Sequence, residues 1–272
     1  MFPTVFVSHG SPLHAMLDSR AAQGWAALGH RLIAAHGRPR AVLVASAHWE
    51  TAQPTVSTAA QPETIHDFGG FPAELYRLAY GAPGAPAVAA QAIELLQAAG
   101  LPAAADSRRG LDHGAWVPLR QMFAAADVPV AQVSVQPQRD AAHHLALGRA
   151  LAPLARNSVL VLGSGHLTHN LGELMPLLRG GRTHFGEETA PAPYVEAFRQ
   201  WVEDSLRGTL GQPSIEHWTR APHALRAHPT PEHFLPLLVA YGAAGAAPRV
   251  ERIDLGVESQ LLAMDAYVFG GP

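Results

Sequence analysis

The chain contains no cysteine. That absence removes disulfides, thiolate metal ligands and cysteine nucleophiles together, so any bound metal must be held by nitrogen or oxygen. There is no long block of basic residues and the formal charge is -3, which leaves no electrostatic footprint for nucleic acid or an anionic membrane surface. Apolar runs are broken by Gly, Pro, His or charge well short of the roughly 20 residues that span a bilayer. The first residues lack the basic start, apolar middle and small-residue cleavage site of an export signal, and cytoplasm is the expected compartment. Common enzyme signatures are missing too. Ser164 has Leu162 where a G-x-S-x-G nucleophile elbow needs glycine, and Gly163 and Gly165 are followed by Thr168 where a dinucleotide fingerprint needs a third glycine. No Walker lysine follows a Gly-rich loop, and the H-E-x-x-H zinc-protease pattern is absent.

What the chain does have is enough apolar material for a substantial core: 272 residues, 48% of them hydrophobic. Short apolar runs alternate with helix-like stretches. Val5 to Ser8, Ala41 to Ala47, Val128 to Val135 and Ser158 to Leu162 read as strands. Ala21 to Ala35, Ala87 to Ala99, Trp116 to Ala125, His143 to Ala155, Tyr194 to Leu206 and Glu232 to Tyr241 read as helices, with a short one from Pro72 to Tyr80. Thr51 to Gly70 is polar and rich in Pro and Gly, the composition of a functional rim. Arg249 to Leu255 and Leu261 to Phe269 read as closing strands, the last pair antiparallel. With no repeat, heptad pattern or Ser/Gly linker, the expectation is one α/β domain over residues 1–272, its central mixed and mainly parallel sheet flanked by helices. A homo-oligomer is compatible with this sequence.

Three apolar runs end on histidine: Val5-Phe-Val-Ser-His9, Val42-Leu-Val-Ala-Ser-Ala-His48 and Val159-Leu-Val-Leu-Gly-Ser-Gly-His166. If these are neighbouring parallel strands, their carboxyl ends share one sheet edge, where open α/β sheets place their chemistry. Imidazole is the commonest nitrogen donor to zinc and iron, so His9 and His48 are a candidate ligand pair. The third ligand is sought in Thr230-Pro231-Glu232-His233, with Thr230 as helix N-cap and Pro231 in the first turn; either Glu232 or His233 suits. His166 and His169 share a face if a helix begins there, and His113 sits in a polar loop before a helix. His14, His30, His36, His143, His144, His184 and His217 lack a partner motif and are assigned to packing or surface.

Taken in order, Ser8-His9-Gly10-Ser11-Pro12, Ser46-Ala47-His48-Trp49, Leu111-Asp112-His113-Gly114-Ala115-Trp116, Gly163-Ser164-Gly165-His166-Leu167-Thr168-His169-Asn170 and Pro229-Thr230-Pro231-Glu232-His233 resemble the class III extradiol ring-cleaving dioxygenases. The branch they are most similar to is the DOPA 4,5-dioxygenase type. The resemblance implies His9, His48 and His233 as metal ligands, His233 standing where other class III enzymes use glutamate. It implies His169 as the acid/base and His113 as a second catalytic histidine touching substrate or oxygen. His166, His223 and Ser11 are then candidate substrate-pocket residues, and His66, Asp67, Phe68, Phe71, Tyr76 and Tyr80 candidate rim residues. The implied cofactor is Fe(II), with Zn(II) able to occupy the same site in a purified sample. The implied reaction opens the ring of a catechol, DOPA-like or related, with O2 to a muconic semialdehyde-type product. A zinc hydrolase on the same three histidines and a non-catalytic metal-binding or partner-binding relative are the alternatives.

Overall fold

In the computed structural model, which describes residues 2–209 and 215–270, the chain forms a single α/β domain. In chain order the elements are β1 (Thr4–Ser8), α1 (Arg20–His36), β2 (Ala41–Glu50), β3 (Thr55–Ser57), α2 (Pro86–Ala98), β4 (Ala104–Asp106), α3 (His113–Met122), β5 (Val130–Val135), α4 (Ala141–Arg156), β6 (Val159–Gly165), α5 (Leu171–Arg179), α6 (Pro193–Arg207), α7 (Ala224–Ala227), α8 (Leu235–Ala243), β7 (Arg249–Ile253), β8 (Val257–Glu258), β9 (Leu262–Ala263) and β10 (Ala266–Gly270). Eight strands make one mixed sheet in the order β4-β3-β5-β2-β6-β1-β10-β7. Its centre, β5-β2-β6-β1, is parallel, while β10 and β7 close one side antiparallel.

The central strands read as continuous apolar runs because both sheet faces are covered. Alternate side chains still go opposite ways. Val42, Val44, Leu160 and Leu162 pack with Trp25, Leu28 and Trp116 of α1 and α3. Leu43, Ala45, Val159 and Val161 pack with Leu147, Leu151 and Val239 of α4 and α8. The helices start on side-chain caps: Ser19, Asp112, Asp140 and Asn170 each accept a first-turn backbone N–H.

Several sequence expectations shift. The segment read as a helix from Pro72 to Tyr80 holds only a 3₁₀ turn, Leu75–Arg77, around the single buried anchor Leu75. The helix expected from Glu232 starts at Leu235, because Pro236 has no N–H to give Glu232 and fits only in a first turn. Thr230 is therefore not its cap; the Thr230 hydroxyl donates to Glu232 Oε1 instead. Leu261 to Phe269 splits into β9, paired with β8, and β10, paired with β1. The short strands β3 and β4, at one side of the sheet, are too brief to show a period in the sequence.

Two histidines outside the sheet edge are buried as neutral rings. His144 accepts a hydrogen bond from Gln136 N at 3.2 Å and donates from Nδ1 to the Asp140 carbonyl at 2.8 Å. His228 lies among Phe198, Trp218 and Phe234. Burial lowers both to about 4. Below the unfolded histidine value of about 6.5 the unfolded chain binds more protons than the folded one, so stability falls as pH drops from about 6.5 towards 4. Each such histidine contributes about 1.4 kcal/mol per pH unit across that window. Thermal midpoints measured across this range should fall steeply, and His144→Gln should flatten the fall; an unchanged slope in the variant would contradict this assignment.

Candidate metal centre

The parallel register brings three chain segments to one edge of the sheet. Val7 lies beside Ser164 and Ser46 beside Ser164, so β1, β2 and β6 end together, carrying His9, His48 and His166. The fourth segment is the turn that leads into α8. Gly165 has no side chain, and a Cβ there would run into the His233 carbonyl. The open space lets His166 N donate to that same carbonyl at 2.8 Å, which fastens residue 233 against the end of β6.

His9 Nε2 is 3.1 Å from His48 Nε2, which in turn is 3.3 Å from His233 Nε2. One ring nitrogen of each lies within 4.8 Å of the others. The opposite edge of each ring faces a protein group. The Ser164 hydroxyl donates to the Gly114 carbonyl, so its oxygen accepts the His9 Nδ1–H at 3.1 Å. Glu232 Oε1 accepts the His233 Nδ1–H at 2.9 Å, and Asp67 lies 3.7 Å from His48 Nδ1. With protons at Nδ1, the Nε2 lone pairs of His9 and His233 face the same point as that of His48. Their mutual repulsion is relieved by a cation. Two nitrogens about 2.1 Å from one ion are about 3.0 Å apart at a right angle and about 3.4 Å apart at the tetrahedral angle, and the observed spacings fit that range. Carboxylate partners on the far ring nitrogen are the usual support of a metal-bound imidazole. Glu232 meets the His233 ring on its Nδ1 side, away from the three Nε2 atoms.

The His48 backbone is clamped from both sides. Ser46 Oγ accepts the His48 N–H at 3.2 Å and donates to Asp112 Oδ1 at 2.6 Å. Arg109 donates to the His48 carbonyl at 3.1 Å and to Asp112 Oδ2 at 2.7 Å, and Gln132 Nε2 completes the fully buried carboxylate at 2.7 Å. None of Asp112, Arg109, Gln132 or Ser164 was singled out for a role at the site from sequence. The polar residues 132 and 164 inside apolar strands were the available signal.

Two further histidines flank the trio. His113 opens α3, and its ring lies 3.9 Å from that of His48; its Nδ1 donates to Asp67 Oδ1 at 3.0 Å. Burial alone would raise the Asp67 carboxyl, but the hydrogen bonds and charge of His113 outweigh it and hold Asp67 at about 2. His169 stacks on His233 with centroids 3.5 Å apart and planes 13° from parallel. Its backbone N–H is tied to the Ala227 carbonyl at 2.8 Å, and it sits in a turn, since α5 begins only after the Asn170 cap. His166 is buried, 5.2 Å from His9, with its Nδ1 lacking a hydrogen-bond partner. Burial, followed by neighbouring imidazoles, pushes His9, His166 and His233 well below the ordinary histidine value. Burial likewise lowers His48 to about 4 and His169 to about 3. A neutral ring is the form that binds metal.

All six histidines line one cavity of about 410 Å³, together with Ser11, whose hydroxyl also caps the 3₁₀ turn Pro12–Ala15. Phe68 and Phe71 of the expected rim line it as well. His223 does not. It has a left-handed backbone (φ 59°) at the start of α7 and lies beside Tyr194, drawn away by the turn that precedes α7. Tyr80 is also outside the rim: it is buried with its hydroxyl on the Phe123 carbonyl. His14, assigned to packing, is buried between the Ser11 carbonyl and Glu258.

An α/β sheet edge carrying three convergent imidazoles over a cavity is the architecture of a metal-dependent enzyme. Residues 3–270 match the family described as the catalytic LigB subunit of aromatic ring-opening dioxygenase, and the chain belongs to that family of class III extradiol dioxygenases. It is 42% identical over 267 residues to a 4,5-DOPA dioxygenase extradiol of Beta vulgaris, covering 98% of this chain and 96% of that one. The protein of the same name from Escherichia coli K12 is 37% identical, covering 95% and 93%. A crystal structure of an uncharacterized Escherichia coli K12 protein superposes with a TM-score of 0.79 at 30% identity, covering 99% of this chain and 100% of that one. No helix among the described residues is long and apolar enough to cross a membrane.

Two substitutions test the centre. Gly165→Ala should displace His233, lowering stability by about 1–3 kcal/mol and weakening zinc binding, both read by thermal melts with and without metal. Glu232→Gln should leave the fold intact and weaken metal affinity about 10–100-fold in a competitive chelator titration. Wild-type affinity in both would contradict the geometry.

Proposed function

We propose that this chain is an extradiol dioxygenase that opens the ring of a catechol with O2 to give a muconic semialdehyde-type product, residues 1–272 acting as one catalytic domain. The observation that supports this most directly is the convergence of three Nε2 atoms at the floor of a cavity that also holds His113 and His169. In this reading His9, His48 and His233 hold Fe(II). When bound, ferrous iron supplies the electron exchange between an ionised catechol and dioxygen, and three protein ligands leave positions for both.

The protein's part is positioning and proton traffic. His169 is kept neutral by burial, so it has a lone pair with which to take a proton from a catechol hydroxyl and later return it. Stacking on His233 and the backbone tie to Ala227 fix its ring against rotation. His113 spends its Nδ1–H on ionised Asp67, which leaves Nε2 to hydrogen-bond a substrate or dioxygen oxygen. Asp67 sits between His113 and His48 and so couples the orientation of an acid/base candidate to that of a ligand. The apolar cavity walls exclude water from these groups and strengthen their electrostatics. His166 and Ser11 complete the pocket lining.

Ferrous-loaded protein should consume O2 in equimolar amount with catechol and develop the yellow colour of an opened ring, whereas zinc-loaded protein should consume none. His169→Ala should keep metal content and catechol binding but lose about 10²–10⁴-fold in kcat; His9→Ala and His48→Ala should lose the metal itself. Catechol-independent hydrolysis without oxygen uptake would replace this reading with a zinc hydrolase.

A further inference from the structure

A series of ring contacts leads along the cavity wall away from the imidazoles. Phe68 lies 5.7 Å from His113, Phe71 lies 5.4 Å from Phe68, and Phe185 lies 6.1 Å from Phe71. Phe185, on the loop after α5, is the outermost ring of that series. A cavity of about 410 Å³ is in the range that takes drug-sized ligands, so a catechol held at the histidines leaves space for a ring substituent.

Three lining segments meet at one buried carboxylate, Glu258. Its Oε2 accepts the Gly186 N–H at 2.9 Å, one residue from Phe185. Its Oε1 faces His14 Nε2 at 2.8 Å, and His14 Nδ1 donates to the Ser11 carbonyl at 2.9 Å. Its backbone pairs with Leu262 between β8 and β9. Ser11, Phe185 and Leu262 all line the cavity, whereas His14 and Glu258 do not. His14 is fully buried, so close beneath the turn that a Cβ on Gly10 would come within 2.7 Å of Nδ1. Gln121 of α3 fixes it further by donating to the His14 carbonyl at 2.9 Å. Both ring nitrogens of His14 thus face oxygen. With Glu258 ionised both carry hydrogen, and the two side chains form a buried ion pair that loses its compensation if either partner is removed. The Phe185 loop has other ties: Thr183 donates to Ser259 Oγ at 2.9 Å, and Ser259 N donates to the Glu187 carbonyl at 3.1 Å. Loss of the Gly186 tie therefore loosens Phe185 without detaching the loop.

We infer that His14 and Glu258 are a positioning pair: they fix the Phe185 wall relative to the Ser11 turn and so set how tightly the cavity holds the ring substituent of a catechol. The inference rests on the ring-opening reading only in placing the catechol oxygens at the histidines. Zinc-loaded protein, which cannot turn over, allows catechol and DOPA, a bare ring and the same ring with a substituent, to be compared by calorimetry. His14→Ala and Glu258→Ala should each weaken DOPA about tenfold while changing catechol and zinc affinity by less than about twofold. The double variant should lose no more than either single one, because each breaks the same link. Glu258→Gln should restore DOPA affinity, since its amide oxygen accepts the Gly186 N–H and its NH2 donates to a neutral His14 ring. A general loosening of the fold would instead weaken catechol, DOPA and zinc alike. Equal loss for both catechols, additive losses in the double variant, no rescue by Glu258→Gln, or wild-type DOPA affinity in both single variants overturns the assignment. Phe185→Ala removes the wall while keeping the pair, and serves if the buried variants do not fold. It should weaken DOPA more than catechol, and an unchanged ratio overturns the assignment as well. If the split appears in the zinc-loaded protein but the iron-loaded protein takes up no oxygen, the positioning role stands and the ring-opening reading fails.

Discussion

Everything at the sheet edge depends on holding three imidazole lone pairs a little over 3 Å apart. Left to themselves, such groups repel and turn away. Here each far ring edge faces an oxygen: Ser164 for His9, Glu232 for His233 and, more loosely, Asp67 for His48. The buried Asp112 network then locks the backbone of His48. The protein therefore assembles a candidate cation site in advance, and the stability of the surrounding core bears the cost of assembling it.

The same cavity sets two environments against each other. Its floor is nitrogen-rich, with His9, His48, His166, His169 and His233 held neutral by burial; its opposite wall is aromatic and aliphatic. Because the imidazoles are neutral, a divalent cation placed among them keeps its full charge and attracts an ionised oxygen ligand. The wall offers only dispersion and desolvation. In the proposed reading that contrast orients a catechol, with its oxygens drawn to one side and its carbon skeleton to the other.

Much of the fold was legible because the central strands are long apolar runs that end abruptly on histidine. Val42 to Val44 and Val159 to Leu162 admit few alternatives to buried parallel strands. What could not be read were elements decided by partners far along the chain. The three-residue strands β3 and β4 gain their identity only from pairing with β5 and each other. The expected helix at Pro72 to Tyr80 gives way to a 3₁₀ turn and loop, because within it only Leu75 and Tyr80, five apart and not at helical spacing, find buried places. His223 carries the same chemistry as His166, yet the turn before α7 takes it out of the cavity.

The order of residue types along the chain determined that this is a layered α/β protein with histidines at strand ends, since side-chain hydrophobicity and strand period act locally. Tertiary structure alone decided which nitrogen of each ring faces the centre, that Glu232 meets the Nδ1 side of the His233 ring, and that among the described residues no Arg, Asp or Glu lines the cavity. The reason is physical. Those outcomes depend on distances between groups as much as 185 residues apart, such as His48 and His233, and the covalent chain constrains such distances only after the sheet has formed.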